Sequence, residues 1–170
     1  MEFARSAASF ARAIFTKSAE TQDLAAAREE MELFLARIHA DADPQEVKQG
    51  FDDLSDEATA LFEHSKEFYK NRALRAAIES NNADLAEMVI DELGSHFHGR
   101  IQYTRMMSHG EQVYACHSLL GHALDVGAED VALMLMEHEE VTPAQAMVDT
   151  AQARGLTRAA AEITSRFECV

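Results

Sequence analysis

The fold is decided by a helical segment that occurs three times in the second half of the chain. Residues 120–135 read LGHALDVGAEDVALML, residues 74–89 read LRAAIESNNADLAEMV, and residues 148–163 read VDTAQARGLTRAAAEI. In each segment an aliphatic residue is followed by alanine three positions later, and by asparagine or glycine four positions after that. Further apolar residues then recur at the spacing of a second helix. We therefore expect three pairs of short helices.

The small residues of these segments explain how such pairs would pack. Alanine lets one helix lie close to its neighbour, while asparagine and glycine tolerate the left-handed backbone that ends a helix. Because a single pair cannot bury its apolar face, the pairs are expected to stack. The alanines are Ala77, Ala123 and Ala151; the helix ends are Asn81, Gly127 and Gly155; the apolar positions of the second helices are Leu85/Val89, Val131/Leu135 and Ala159/Ile163.

This pattern resembles the ankyrin repeat. Residues 74–90 and 120–136 are similar to the family's succession of leucine, paired small residues, a glycine turn and two aliphatic pairs. Residues 148–163 match less well. The resemblance implies stacked helix pairs over about residues 71–168 and a groove that binds another protein.

The chain also departs from the family's pattern. The Thr-Pro-Leu-His tetrapeptide is missing, and the equivalent positions hold Leu74-Arg75 and Leu120-Gly121. The equivalent alanines are 46 and 28 residues apart, whereas the family repeats at about 33 residues. The sequence gives no sign of a β-hairpin finger. A generic stack of α-hairpins is therefore the alternative.

The composition predicts an all-α chain. Only seven glycines and two prolines occur in 170 residues, and the abundant residue types are those that favour helices. We expect an N-terminal helical bundle over residues 1–70, packed on the repeat stack of residues 71–170 as one continuous domain. Its later helices are predicted at residues 21–40, from a start at Asp43-Pro44, and along an apolar face from Leu54 to Phe68.

The net charge of −15 limits the possible partners. Residues 20–60 contain twelve acidic and three basic residues. Such a field repels nucleic acid and anionic membranes and favours a basic protein partner. An acidic surface that only keeps the protein in solution is the alternative.

The expected location is the cytoplasm. The two cysteines do not form a disulfide framework, and no apolar run approaches the roughly 18–20 residues that span a membrane. A secreted effector that acts in a host cytosol is the alternative. Residues 1–19 have the basic, alanine-rich composition of a mitochondrial presequence, but their apolar residues share one helical face, which favours a packed first helix.

A run of histidines is the best candidate for metal chemistry. Zinc or nickel would accept imidazole and thiolate ligands. However, Cys116 and His117 are adjacent on a predicted helix, so their side chains would point about 100° apart. We therefore expect no metal site, with a zinc- or nickel-binding helical protein as an alternative. The candidate ligands are His96, His98, His109, Cys116, His117 and His122.

We expect no enzymatic activity and no cofactor. Cys116 lies among apolar residues on the predicted helix, which indicates a structural thiol and not a nucleophile. Glycine-rich phosphate-binding loops are absent from the sequence.

The insertion at residues 95–112 is the predicted binding element. It interrupts the acidic trend and offers the arginine, tyrosine and methionine residues that are enriched at interfaces; apolar cover for the stack is the alternative. Exposed positions on the first helices would complete the surface. The candidates for partner binding are Arg75, Glu79, Phe97, Arg100, Tyr103, Arg105, Met106, Asp125 and Asp149.

These observations favour a non-catalytic module that binds a protein through the repeat groove and residues 95–112. An acidic inhibitor or immunity-type protein, which blocks a basic toxin or a nucleic-acid-binding enzyme, is the alternative in a different class. The sequence identifies neither the partner nor the oligomeric state.

Overall fold

The computed structural model describes residues 23–64, 68–92, 99–106, 112–138 and 141–168. Over these residues the chain is all-α apart from one two-stranded sheet, which confirms the predicted fold class. The helix predicted within residues 1–19 lies outside the described residues. Among the described helices, none has both the length and the hydropathy required to cross a bilayer.

The described N-terminal helices fall within the predicted segments. Residues 23–36 are helical and form α1, α2 is Pro44–Asp52 and α3 is Asp56–His64. The Asp43 side chain accepts a hydrogen bond from the Gln45 amide at 2.8 Å and caps α2 as expected. Within the apolar face predicted from Leu54 to Phe68, α3 covers Asp56–His64, and Phe68 belongs to the next described helix.

Aromatic side chains join these three helices. The ring centroid of Phe51 in α2 lies 5.6 Å from that of Phe34 in α1 and 5.3 Å from that of Phe62 in α3. Such tilted and edge-on pairs add to the free energy of apolar burial. Arg72 forms an ion pair with Glu32 of α1, so the bundle is also joined to the helix that follows it.

Three helix pairs follow, as the repeated segment predicted. The first helices of successive pairs contact one another in the order α4, α6, α8, and the second helices do so in the order α5, α7, α9. The pairs therefore stack in two layers. Their bounds are Phe68–Glu79 (α4) and Ala83–Glu92 (α5), Leu119–Val126 (α6) and Glu129–Glu137 (α7), and Ala146–Ala153 (α8) and Thr157–Glu168 (α9).

The repeated small residues have the predicted roles. Ala77, Ala123 and Ala151 are each 0% exposed. The three predicted helix ends all have positive φ, with 54° at Asn81, 85° at Gly127 and 74° at Gly155. The apolar positions predicted for the second helices are also buried.

Side chains at the turns join one pair to the next. Asn81 donates to the Asp130 carboxylate at 3.1 Å and accepts from the Asp130 amide at 3.0 Å. One oxygen of Glu129 accepts the amides of Arg158 at 2.8 Å and Ala159 at 3.2 Å, at the start of α9. These bonds hold successive turns in register along one edge of the stack.

A β-hairpin separates the first and second pairs, contrary to the sequence prediction. Strands β1 (Arg100–Met106) and β2 (Gln112–Ser118) pair antiparallel and lead directly into α6. The prediction that Cys116 and His117 lie on a helix was therefore wrong: α6 begins at Leu119, where the Ser118 hydroxyl caps the helix by accepting the Gly121 amide at 3.0 Å. Ile101, which is 0% exposed, anchors β1 in the core.

Candidate protein-binding surface

The exposed positions of α4, α6 and α8 form one surface, which we call the first-helix face. Four of the predicted binding residues belong to these helices: Arg75 and Glu79 to α4, Asp125 to α6 and Asp149 to α8. Glu79 and Asp149 are exposed, and Arg75 and Asp125 are half-buried. Because the three helices contact one another in sequence, their outward positions are continuous.

A hydrogen-bonded cluster joins α4 to α6 on this face. The Arg75 guanidinium donates to Oε1 of Glu79 at 3.0 Å, and Nε2 of His122 lies 3.2 Å from the same oxygen. His122 is only 2% exposed, whereas the side chain of Glu79 is 41% exposed. The cluster therefore places a carboxylate on the surface and holds it from below by a buried imidazole.

The surroundings of His122 favour its neutral form. Burial lowers the pKa of His122 below its ordinary value of 6.5, although the Glu79 carboxylate acts to raise it. The charge of Arg75 and, to a smaller extent, His117 adds to the lowering of this pKa. Protonation at this position would place a second cation beside the Arg75 guanidinium.

A second ion pair lies further along the face. Arg154, directly after α8, donates to Oδ1 of Asp125 in α6 at 2.9 Å. Arg154 was not among the predicted binding residues, although the sequence contains a signal for it. Asp125 and Arg154 are 29 residues apart, close to the 28 residues that separate the aligned Ala123 and Ala151. The two residues therefore occupy nearly equivalent positions in successive helix pairs.

The hairpin borders the first-helix face, because β1 contacts both α4 and α6. Arg100 is exposed at the start of β1, and Tyr103, Arg105 and Met106 follow it in the same strand. The predicted insertion at 95–112 thus contributes a whole strand to this region. Phe97 lies outside the described residues.

The structure describes three of the six candidate metal ligands, namely Cys116, His117 and His122. His96, His98 and His109 lie outside the described residues. Cys116 and His117 are neighbours in β2, where successive side chains alternate between the two faces of a strand. Over the described ranges, no group of three or more His, Cys, Asp or Glu side chains is arranged to hold a metal ion.

The second helices have a different electrostatic character. Helices α5 and α7 together contain seven acidic residues and neither lysine nor arginine. Some of this charge is neutralised from neighbouring elements, since Lys48 of α2 pairs with Glu92 and Arg158 of α9 pairs with Asp130. The remaining exposed acids include Asp84, Asp91 and Glu137.

Comparison of the chain with protein-family models, with curated proteins and with solved structures finds no match.

Proposed function

We propose that this chain is a non-catalytic recognition module that binds a protein through the first-helix face and the adjoining hairpin. The observation that carries the proposal is the stacking of three helix pairs whose first helices form one continuous layer beside an adjoining hairpin. Repeat stacks of this kind bind proteins over extended surfaces. Buried contacts support each helix from behind, so the outward side chains are held in fixed positions for a partner.

Three features support an ankyrin-like assignment over a generic stack of α-hairpins. The hairpin precedes a helix pair, where the ankyrin family has its finger. Ser118 occupies the position of the threonine in the family's Thr-Pro-Leu-His tetrapeptide and caps α6 with its hydroxyl. All three turns between paired helices have a residue with positive φ. The two seven-residue strands between the first two pairs are longer than the β-turn of a standard repeat, and this accounts for the offset of 46 residues there against 28 between the last two pairs.

Affinity capture with paired variants tests the proposal. The full chain is immobilised and exposed to native lysate, and proteins retained at one-to-one stoichiometry are identified. The captured partner is then titrated against two double variants, Arg100→Glu with Arg105→Glu and Asp41→Lys with Asp52→Lys. Asp41 and Asp52 are exposed in the N-terminal bundle, so the second variant is a control for charge reversal as such.

The two variants should behave differently. We expect the arginine variant to lose binding by at least about tenfold and the aspartate variant to bind within about twofold of the parent chain. Equal binding by the arginine variant, with loss in the aspartate variant, would refute the proposal and favour an acidic inhibitor.

The inhibitor remains a second candidate because of the charge on α2, α3, α5 and α7. An acidic surface of this extent is complementary to the basic site of a nuclease or another toxin. In that case the affinity should fall steeply between 50 and 200 mM salt, roughly as for a nucleic-acid mimic. An affinity that salt leaves unchanged would exclude this candidate.

A metal-binding function is tested separately. Elemental analysis of protein purified without added metal would reveal stoichiometric zinc or nickel, and the absence of both would exclude this alternative. The expected location, the cytoplasm or a host cytosol, remains a prediction.

A further inference from the structure

The hairpin has an outer edge, which is the side of β1 that faces away from β2. A binding role for this edge rests on the proposed function. The strands pair in a register that matches Arg100 with Ser118 and Met106 with Gln112. The Leu119 amide donates to the Gly99 carbonyl at 3.2 Å, which extends the same register by one pair. Hydrogen-bonded and non-bonded pairs alternate in an antiparallel ladder. The odd-numbered residues of β1 therefore bond towards β2.

The even-numbered residues of β1 then have the opposite orientation. The amides and carbonyls of Gln102, Thr104 and Met106 point away from β2, towards the outer edge. In the part of the chain that the structure describes, the sheet consists of these two strands alone, so no third strand takes up those groups. An edge of this kind is a template for another strand.

The charge of the hairpin indicates which strand it accepts. The two strands contain Arg100 and Arg105 and no aspartate or glutamate, although the whole chain has a net charge of −15. A second copy of the hairpin would bring two further arginines and no carboxylate to this edge, so the charges of the two hairpins would repel each other. An acidic strand would instead be attracted.

We propose that the outer edge of β1 receives an extended, acidic segment of a protein partner as the third strand of the sheet. Backbone hydrogen bonds to Gln102, Thr104 and Met106 supply the register, and Arg100 and Arg105 select the charge. The two arginines are five residues apart, about 17 Å along a strand. A segment of six or seven residues with an acid towards each end therefore fits. At 0.15 M salt the acidic body is screened over about 8 Å, so the local arginines dominate.

A single substitution separates the backbone contribution from that of the side chain. Thr104→Pro removes an outward amide and leaves the inward bonds of β1 intact, because proline is tolerated where a strand's amide faces away from the sheet. Thr104→Ala is the matched control, since it changes the side chain and keeps the amide. Amide exchange of Tyr103 and Arg105 verifies that the variants retain the hairpin.

The probe is a phage-displayed library of random twelve-residue peptides, selected at 0.15 M salt on the full chain. We expect the enriched peptides to be acidic. Their affinity, measured by fluorescence anisotropy, should fall at least about tenfold for Thr104→Pro and change less than about twofold for Thr104→Ala. Bound peptide should slow exchange at the amides of Gln102, Thr104 and Met106 in the unmodified chain, a result that does not depend on the folding of any variant.

The contrary results are equally specific. Failure to enrich any peptide over bare support, enrichment of basic or neutral peptides, or equal binding to Thr104→Pro would each overturn strand addition. The proposed function would survive these results if the captured protein partner still protected α6 and α8. It would fail if that partner bound without contact to the first-helix face or the hairpin.

Discussion

Replacement of Ala151 by leucine tests how closely the last two pairs pack. Ala151 is 0% exposed and lies in α8, which contacts both α6 and α9. Leucine adds three carbon atoms to a site with no open surface. Overpacking of this kind costs about 1–3 kcal/mol, because neighbouring side chains and backbone must shift. We expect the free energy of unfolding to fall by about 2 kcal/mol, a large share of a typical domain's stability.

The matched control is Ala153→Leu in the same helix. Ala153 is exposed, so the added atoms meet solvent and the free energy of unfolding should change by less than about 0.5 kcal/mol. Urea denaturation followed by circular dichroism measures both variants at 25 °C. Equal stability of the two variants would refute close packing of α8, and with it the proposed role of the repeated alanines.

Three further predictions concern pH and the turns. The folded state lowers the pKa of His122, so the neutral side chain's contribution to stability should be fully present above pH 6.5 and should decline as the pH falls below that value. His122→Gln should therefore flatten this part of a plot of unfolding free energy, measured in urea, against pH. An unchanged plot would contradict the lowered pKa. Gly127→Ala should lower the free energy of unfolding, measured in urea, by about 1–2 kcal/mol, because φ is 85° at this residue. An added Cβ would have no atom within 4 Å, so the cost comes from backbone strain alone. Stability equal to that of the parent chain would contradict a left-handed turn. Asn81→Gly should be less destabilising than Asn81→Ala. Both variants lose the side-chain bonds to Asp130, but glycine accepts the positive φ at a lower cost than alanine, so the reverse order in thermal denaturation would contradict a left-handed backbone at residue 81.

The helix pairs could be predicted because their determinants are local. Each pair needs a small residue where two helices approach and a glycine or asparagine where its first helix ends. The spacing between these positions is fixed by the helix pair itself and does not depend on the rest of the chain. Ala123 and Gly127 therefore revealed the middle pair before any contact was known.

The hairpin could not be predicted in the same way. Strand pairing joins residues that are distant in sequence, and β2 runs into α6 without an intervening loop, so its last residues continued an apparently helical pattern. Ser118 was an available signal. A serine before an apolar helical segment favours an N-cap, and a boundary there would have excluded Cys116 and His117 from the helix.

Only some of the side-chain pairs on the first-helix face could be predicted from the sequence, because the others depend on how two helices are placed. Arg75 and Glu79 are four residues apart on one helix, a spacing at which opposite charges meet. The contact of Glu79 with His122 depends instead on the relative placement of α4 and α6, which no local pattern specifies.

The most direct test of the account is a hydrogen-exchange footprint of the full chain with its captured partner. If the partner binds the first-helix face and the hairpin, peptides that cover β1, α6 and α8 should become protected, while those that cover α2 and α3 exchange as in the free chain. Protection confined to α2 and α3 would contradict the account and place the binding surface on the acidic bundle.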